Sequence, residues 1–437
     1  MAAVTHPHDA SIDVLRAACT IVVVALHATM AGVIVTGGQV SFDNALEEPW
    51  FAPVSWLVQI MPLFFLAGGA TAAVSFRRGS AGSASGFVAR RVQRLLGPAF
   101  AATLAIAVSL AALGAVGVPD ALVEEAGFRL SQPLWFLGVF LLVQSLVPTM
   151  LRAHDRHPVA SLVAILAAVV AVDVTRAWSG IEGVGFANLL FVWLLMQQLG
   201  FLLADGRFAA HTVRARLGLA AGALMITASL ALAGAFSPDM YTNLNPPTSA
   251  LVLLGFAQAC VFSVLQPALR GLALRPRIGA VTGFVNRRAM EIYLWHMPAI
   301  VGLAGLLVAA ALVAGAEPAA VHSPAWWATR PAWIAAVAAA TLVLVHLVTR
   351  RPIVPRAATS SPWRAAGGSV LAVASIGVVF VLGLDVEAAV ISLTLAAAAM
   401  RLTRGTVPVG VTRSGAAPIG GYPPMRMTSQ SDAAVAA

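Results

Sequence analysis

The chain has 437 residues, of which 59% are hydrophobic and only 10% charged, with a mean hydropathy of +0.87. A soluble domain carries roughly 25% charged residues, so a soluble enzyme is excluded and the class is an all-α, polytopic membrane helical bundle. The net charge of +9 comes entirely from arginine, since the sequence holds no lysine, and it has to be read against membrane topology before it can be read as affinity for a partner; it gives no argument for nucleic acid.

A helix needs ~20 apolar residues to cross the hydrocarbon core. Runs of that kind predict spans near 12–35, 52–76, 95–117, 133–150, 158–177, 184–204, 213–236, 249–269, 288–314 and 331–349. Two shorter runs, near 367–384 and 386–400, read as one extra C-terminal hairpin turning at "GLDVE". The organisation expected is therefore a transmembrane domain over 1–355, additional membrane segments over 356–402, and a Gly-, Pro-, Ser- and Thr-rich tail over 403–437 that is expected to be disordered.

Arginine placement orients this map. With the N-terminus inside, the outer loops hold only Arg129, Arg176 and Arg330, while the inner segments take all the others except Arg16. That asymmetry is the positive-inside bias, and it predicts a cytoplasmic N-terminus and tail. The basic inner loops first mean topology and contact with anionic lipid headgroups; binding of an anionic co-substrate is the sharper reading. Arginine in place of lysine, with abundant Ala, Gly and Val, predicts a bacterial source and thus the plasma membrane. Cys19 and Cys260 both lie in apolar runs and read as small buried hydrophobes. No metal site and no tightly bound cofactor is expected.

The first span, "LRAACTIVVVALHATM", carries two ionisable residues, Arg16 and His27. Eleven residues at ~100° each bring both to one helix face, about 16 Å apart along the axis. Arg16 then sits near the inner interface and His27 near mid-membrane. Ionisable groups at such depth are expensive and mark functional sites or paired partners. Together on one stripe they predict a cavity open to the cytoplasm. In the ninth span, "NRRAMEIYLWHMP", His296 follows Arg288 by eight residues, which predicts a depth of ~12 Å, shallower than His27. Glu291 stands at the spacing for an ion pair with Arg287 or Arg288.

These pieces resemble the membrane acyltransferase-3 family. An Arg, ten residues and a His on the first span is similar to that family's hallmark. "MPLFFLAGG" is similar to its second-span motif, "FVARRVQRLLGP" to its basic loop, "PLWFLGVFLLV" to its WFL segment, "NPPTSALVLLG" to its Pro-rich entry and "IYLWHMP" to its late YLWH segment. The order agrees across roughly 10–350. Gly68–Gly69 stand where many members have Ser-Gly, and Gln132–Pro133 where some have a His; the roles of those polar groups do not carry over.

The resemblance implies transfer of an acyl group, commonly acetyl, from cytoplasmic acyl-CoA as co-substrate to a hydroxyl. It implies a carbohydrate or lipid-linked acceptor, or another envelope or secondary-metabolite one. A base is needed to take the hydroxyl proton, and a histidine suits that at neutral pH; His27 is the choice, with His296 as a second polar group lining the site. Arg16, with Arg90, Arg91 and Arg94 in the second loop, are the candidates for the phosphates of CoA. The alternative is a proton-coupled transporter or flippase, which also uses buried His and Arg. Against it stand sparse intramembrane acids and the lack of an inverted repeat of broken helices. A third reading is a catalytically silent relative.

Overall fold

The computed structural model describes residues 9–79, 83–350 and 357–405. Residues 406–437, which hold most of the tail expected to be disordered, lie outside the described residues. Among the latter, twelve segments are long and apolar enough to cross a membrane, which matches ten spans plus a C-terminal hairpin.

Helix α1 (Ala10–Met30) starts at Asp9, whose carboxylate accepts from Ser11 N at 3.0 Å. The span predicted over 12–35 is too long. The chain leaves the helix at Met30 and forms an antiparallel hairpin of β1 (Ala31–Thr36) and β2 (Gln39–Asn44). Gly37 and Gly38, at φ 57° and 80°, supply the two left-handed residues of a tight hairpin turn. β-branched Val33, Ile34, Val35 and Thr36 suit the extended chain, and Val33 and Val35 are buried.

The predicted second span is two helices, α2 (Phe51–Val58) and α3 (Met61–Arg77). The break is possible because the backbone it frees is satisfied inside the protein, as the membrane requires. Gln258 Nε2 donates to Gln59 O at 2.8 Å, and Tyr241 Oη donates to Val58 O at 3.1 Å. Helix α4 (Ala84–Ala115) begins eleven residues before the predicted start at 95, capped by Ser83 Oγ, which accepts from Gly86 N at 3.0 Å. Arg90, Arg91 and Arg94 therefore lie on a helix rather than in a loop. Polar residues with good helix propensity extend a span past the membrane at little cost, and hydropathy alone does not register them.

An unpredicted α5 (Asp120–Ser131) runs into α6 (Leu134–Ser145) through a break at Gln132–Pro133. The chain then turns at Leu146 into α7 (Val147–Arg156), which lies outside the candidate spans. Next come α8 (Pro158–Ser179), α9 (Asn188–Ala204), α10 (Val213–Leu232) and α11 (Ser249–Ala273). A further helix that sequence reading missed, α12 (Pro276–Arg287), precedes α13 (Ala289–Ala314) and α14 (Pro324–Thr349). Helices α15 (Pro362–Leu382) and α16 (Val386–Thr403) make the C-terminal hairpin as two separate spans, with Asp385 Oδ1 accepting from Ala388 N at 2.7 Å. Their Ala365, Ala372, Ile376, Ala396 and Ala399 join a buried cluster with Val92 and Leu96 of α4 and Leu137 and Leu141 of α6.

Small residues let the central helices touch. A Cβ added at Gly200 would lie 2.7 Å from Ala70 N and against Leu66 O, so α3 and α9 are in backbone contact there. At the Arg77 end of α3 and the Asp205 end of α9 a polar clamp ties the helices together. Gln198 Nε2 donates to His154 Nδ1 at 2.8 Å, His154 Nε2 donates to Asp205 Oδ2 at 2.9 Å, and Arg77 donates to both Asp205 and Asp155. Burial raises the Asp205 pKa, but the hydrogen bonds from His154 and Arg77 outweigh it and hold it at about 2, against an ordinary 3.8. A depressed carboxylate contributes stability above its unfolded pKa and loses it as pH falls through the folded value. Stability of the detergent-solubilised protein is therefore expected to be insensitive to this group above about pH 4 and to fall towards pH 2. Asp205→Asn should cost about 1–2 kcal/mol at neutral pH, the scale of hydrogen bonds to charged groups at a partly solvated site. Thermal unfolding against pH checks both, and a variant difference that persists unchanged below pH 2 would remove Asp205 as its source.

Candidate active site

The two intramembrane histidines meet. His27 Nδ1 lies 2.7 Å from His296 Nε2, with the ring planes 7° apart. The bond fixes the tautomers by elimination. His296 Nδ1 lies 2.7 Å from Tyr293 O and 3.2 Å from Ile292 O. A carbonyl oxygen only accepts, so Nδ1 carries the proton and the neutral ring presents a lone pair at Nε2. His27 must then donate from Nδ1, which leaves His27 Nε2 as an acceptor. That atom meets no protein partner among the described residues. His296 is fully buried, whereas His27 is half-buried and lines a cavity. His296 therefore touches the cavity only through His27.

The pairing also corrects the depth inferred for His296. Counting from Arg288 takes that residue as a surface marker. Arg288 is instead the joint that caps both α12 and α13, and Asn286 just before it donates to Asp13 O of α1 at 2.8 Å. The ion pair expected for Glu291 is not among the contacts of the described residues; Arg288 stacks on Phe284 at 4.7 Å instead.

The cavity beside His27 measures about 100 Å³. Thr20, Val23 and Val24 of α1 form one wall. Met61 and Phe64 of α3, Trp135 and Phe136 of α6 and Tyr293 of α13 form others. Another wall is the loop between α10 and α11, through Tyr241 and Leu244. That loop is pinned inward: Trp56 Nε1 donates to Pro238 O at 2.8 Å, Met240 N to Ser55 Oγ at 2.8 Å and Tyr241 Oη to Val58 O at 3.1 Å.

Arg16 of α1 and Arg91 and Arg94 of α4 lie within electrostatic reach of one another, and Asp13 of α1 lies within reach of Arg16. No ion pair between them and a carboxylate is seen among the described residues; Arg91 rests on the Phe87 ring at 5.1 Å. Arg90 is exposed one position further around α4. Arg94 also lines a second, open cavity of about 560 Å³, with Asp13, Thr282, Asn286 and Arg287. The single cavity predicted from the Arg16–His27 stripe is thus two spaces. Arg16 lines neither. It stands between them, coupled to Arg94 below and one turn from Thr20 at the upper cavity. Sequence reading passed over Thr282 and Asn286 of α12, and took Arg287 for a topology signal and a partner of Glu291 rather than for a cavity-lining residue.

A bundle of apolar helices long enough to span a membrane, with a buried histidine pair beside a cavity in its interior, defines a multi-pass membrane protein. Residues 9–350 match the acyltransferase domain model of the acyltransferase-3 type, which is most of the chain, and the protein belongs to that family. It is a membrane acyltransferase, transferring groups other than aminoacyl groups. The α15–α16 hairpin lies beyond the matched residues. Comparison with curated proteins and with solved structures gives no match.

Proposed function

We propose that the protein moves an acyl group, in the first instance acetyl, from cytoplasmic acyl-CoA to a hydroxyl of a carbohydrate, lipid-linked or other envelope or secondary-metabolite acceptor. It does so in a bacterial plasma membrane with its N-terminus inside. The observation that carries this is the His27–His296 bond, which leaves an unprotonated His27 Nε2 at a cavity whose Thr20 stands one helical turn from Arg16. His27 Nε2 takes the acceptor's hydroxyl proton as the oxygen attacks the thioester carbonyl carbon. The tetrahedral intermediate collapses, the C–S bond breaks, and the CoA sulfur leaves as the thiol with the proton from His27. Arg16, Arg91 and Arg94 hold the CoA phosphates through charge-assisted, bidentate hydrogen bonds, with Arg90 further out on the same helix. The thioester reaches His27 along α1, past Arg16 and Thr20.

The test is thiol release from acetyl-CoA by the purified full chain in detergent, supplied with a crude envelope acceptor pool. Arg91→Gln is expected to raise the KM for acetyl-CoA roughly 10–100-fold, the scale of one lost hydrogen bond to a charged group, with kcat little changed. An unchanged KM removes Arg91 from the donor site. Movement of a solute across proteoliposomes with no thiol release would favour the transporter reading.

A further inference from the structure

The side chains that line the cavity at His27 are rich in acceptors and poor in donors. Thr20 Oγ1 donates to Arg16 O at 2.9 Å, Tyr241 Oη to Val58 O at 3.1 Å and Tyr293 Oη to Pro133 O at 2.7 Å. Each of these oxygens keeps a lone pair, but its proton is committed to a backbone carbonyl. His27 donates from Nδ1 to His296, and its Nε2 only accepts. One side-chain donor of the lining remains free. It is the Trp135 indole N–H, for which no acceptor is found among the described residues. The Trp193 indole N–H also lacks a partner, but that residue is fully buried and does not line the cavity.

We infer that Trp135 is a catalytic residue whose indole N–H donates to the thioester carbonyl oxygen and stabilises the negative charge that builds there. The inference rests on the acyl-transfer reading and adds a second working group to it. The acceptor oxygen bonds to the carbonyl carbon, its proton passes to His27 Nε2, and the π pair of the C=O bond moves onto oxygen. That oxygen needs a donor already in place, in a site that excludes water. The indole gives a hydrogen bond and keeps its proton. On collapse the pair returns to the C=O bond, the C–S bond breaks, and the thiol leaves with the proton from His27. At about 100 Å³ the cavity is small, so base and donor serve one reacting centre. The donor is also held in advance. The Trp135 ring packs against Trp193 at 6.0 Å, which stacks on Phe65 at 4.6 Å. Tyr293 ties the start of α6 to α13: its Oη holds Pro133 O, its ring meets Phe136 at 5.4 Å, and its own carbonyl accepts from His296 Nδ1. One residue thus keeps the helix of the donor in register with the histidine pair.

The experiment replaces Trp135 in the full chain with benzothienylalanine, an isostere with sulfur in place of the indole N–H, and measures thiol release from acetyl-CoA in detergent. The kcat is expected to fall 10²–10³-fold, the loss on removing one such donor, with KM for acetyl-CoA and the melting temperature held. Trp135→Phe should show a loss of the same order. A spectroscopic readout needs no turnover. In the His27→Gln background, the infrared carbonyl stretch of bound acetyl-CoA should lie below that of free acetyl-CoA, and the isostere should return it towards the free value. An isostere variant within about threefold of wild type overturns the inference, since backbone amides or no donor at all then meet the oxygen. So does a loss that comes with a lowered melting temperature, which marks Trp135 as packing, or a carbonyl stretch that the isostere leaves unmoved. Wild type that releases no thiol from any acyl-CoA removes the acyl-transfer reading itself, and this inference with it.

Discussion

His27→Gln is expected to lower acyl transfer from acetyl-CoA by 10²–10⁴-fold, the usual worth of a general base. The glutamine amide is the informative replacement. Its NH₂ group can take over the donation to His296 Nε2 that His27 Nδ1 makes across 2.7 Å, so the α1–α13 contact survives. Its carbonyl cannot accept a proton at neutral pH. The variant should therefore fold, elute and melt like wild type, and its affinity for acetyl-CoA should hold, because the arginines proposed to hold the donor do not line the cavity at His27. Loss of kcat without loss of donor binding is the signature of an interaction made only in the transition state. Transfer within about threefold of wild type would reject the base assignment and return His27 to the status of a packed polar residue.

Much of this architecture was legible in the sequence, for a physical reason. Continuous apolar runs are imposed by the bilayer itself, so ten spans and a terminal hairpin could be read from composition. The stripe of Arg16 and His27 follows from helix periodicity alone. The failures have physical causes too. "GVIVTGGQVSF" contains a hairpin signal in its Gly-Gly turn and β-branched flanks, but its first half continues an apolar run, so hydropathy joins it to the first span. The early start of α4 and the whole of α12 are helices of mixed polarity, which a hydropathy argument assigns to loops. The inward path of the loop bearing Tyr241 and Leu244 depends on partners from α2, nearly two hundred residues away. The same holds for His154, Asp205 and Arg77, which are unremarkable in sequence and become a clamp only when α3, α7 and α9 converge. The Gly-Gly of α3 could be compared with Ser-Gly in the family, but its physical role, backbone contact with α9, needs the partner helix to be seen.

His296 provides the second large effect, and its variants separate positioning from chemistry. Because His296 is fully buried and reaches the cavity only through His27, its place in the proposed reaction is that of a positioning residue. Its Nε2 lone pair holds the His27 proton on Nδ1 and so keeps the Nε2 lone pair turned to the substrate. The arrangement has the logic of a catalytic triad, where the buried member fixes the imidazole tautomer and supports the charge that forms on it. A neutral imidazole supports that charge less than a carboxylate does, so the loss on removal should be smaller than in that case. His296→Leu is expected to cost about 10–100-fold in kcat, with KM for acetyl-CoA held. His296→Gln should recover much of that, since its side-chain carbonyl can stand near the imidazole Nε2 and accept from His27 Nδ1. A merely structural role predicts the reverse order, because a fully buried position accepts an apolar leucine better than an amide. Turnover and thermal unfolding measured on both variants decide it: a leucine variant as active as wild type, or a glutamine variant slower than the leucine one at equal stability, removes the tautomer argument and with it the case for paired histidines at the centre of the reaction.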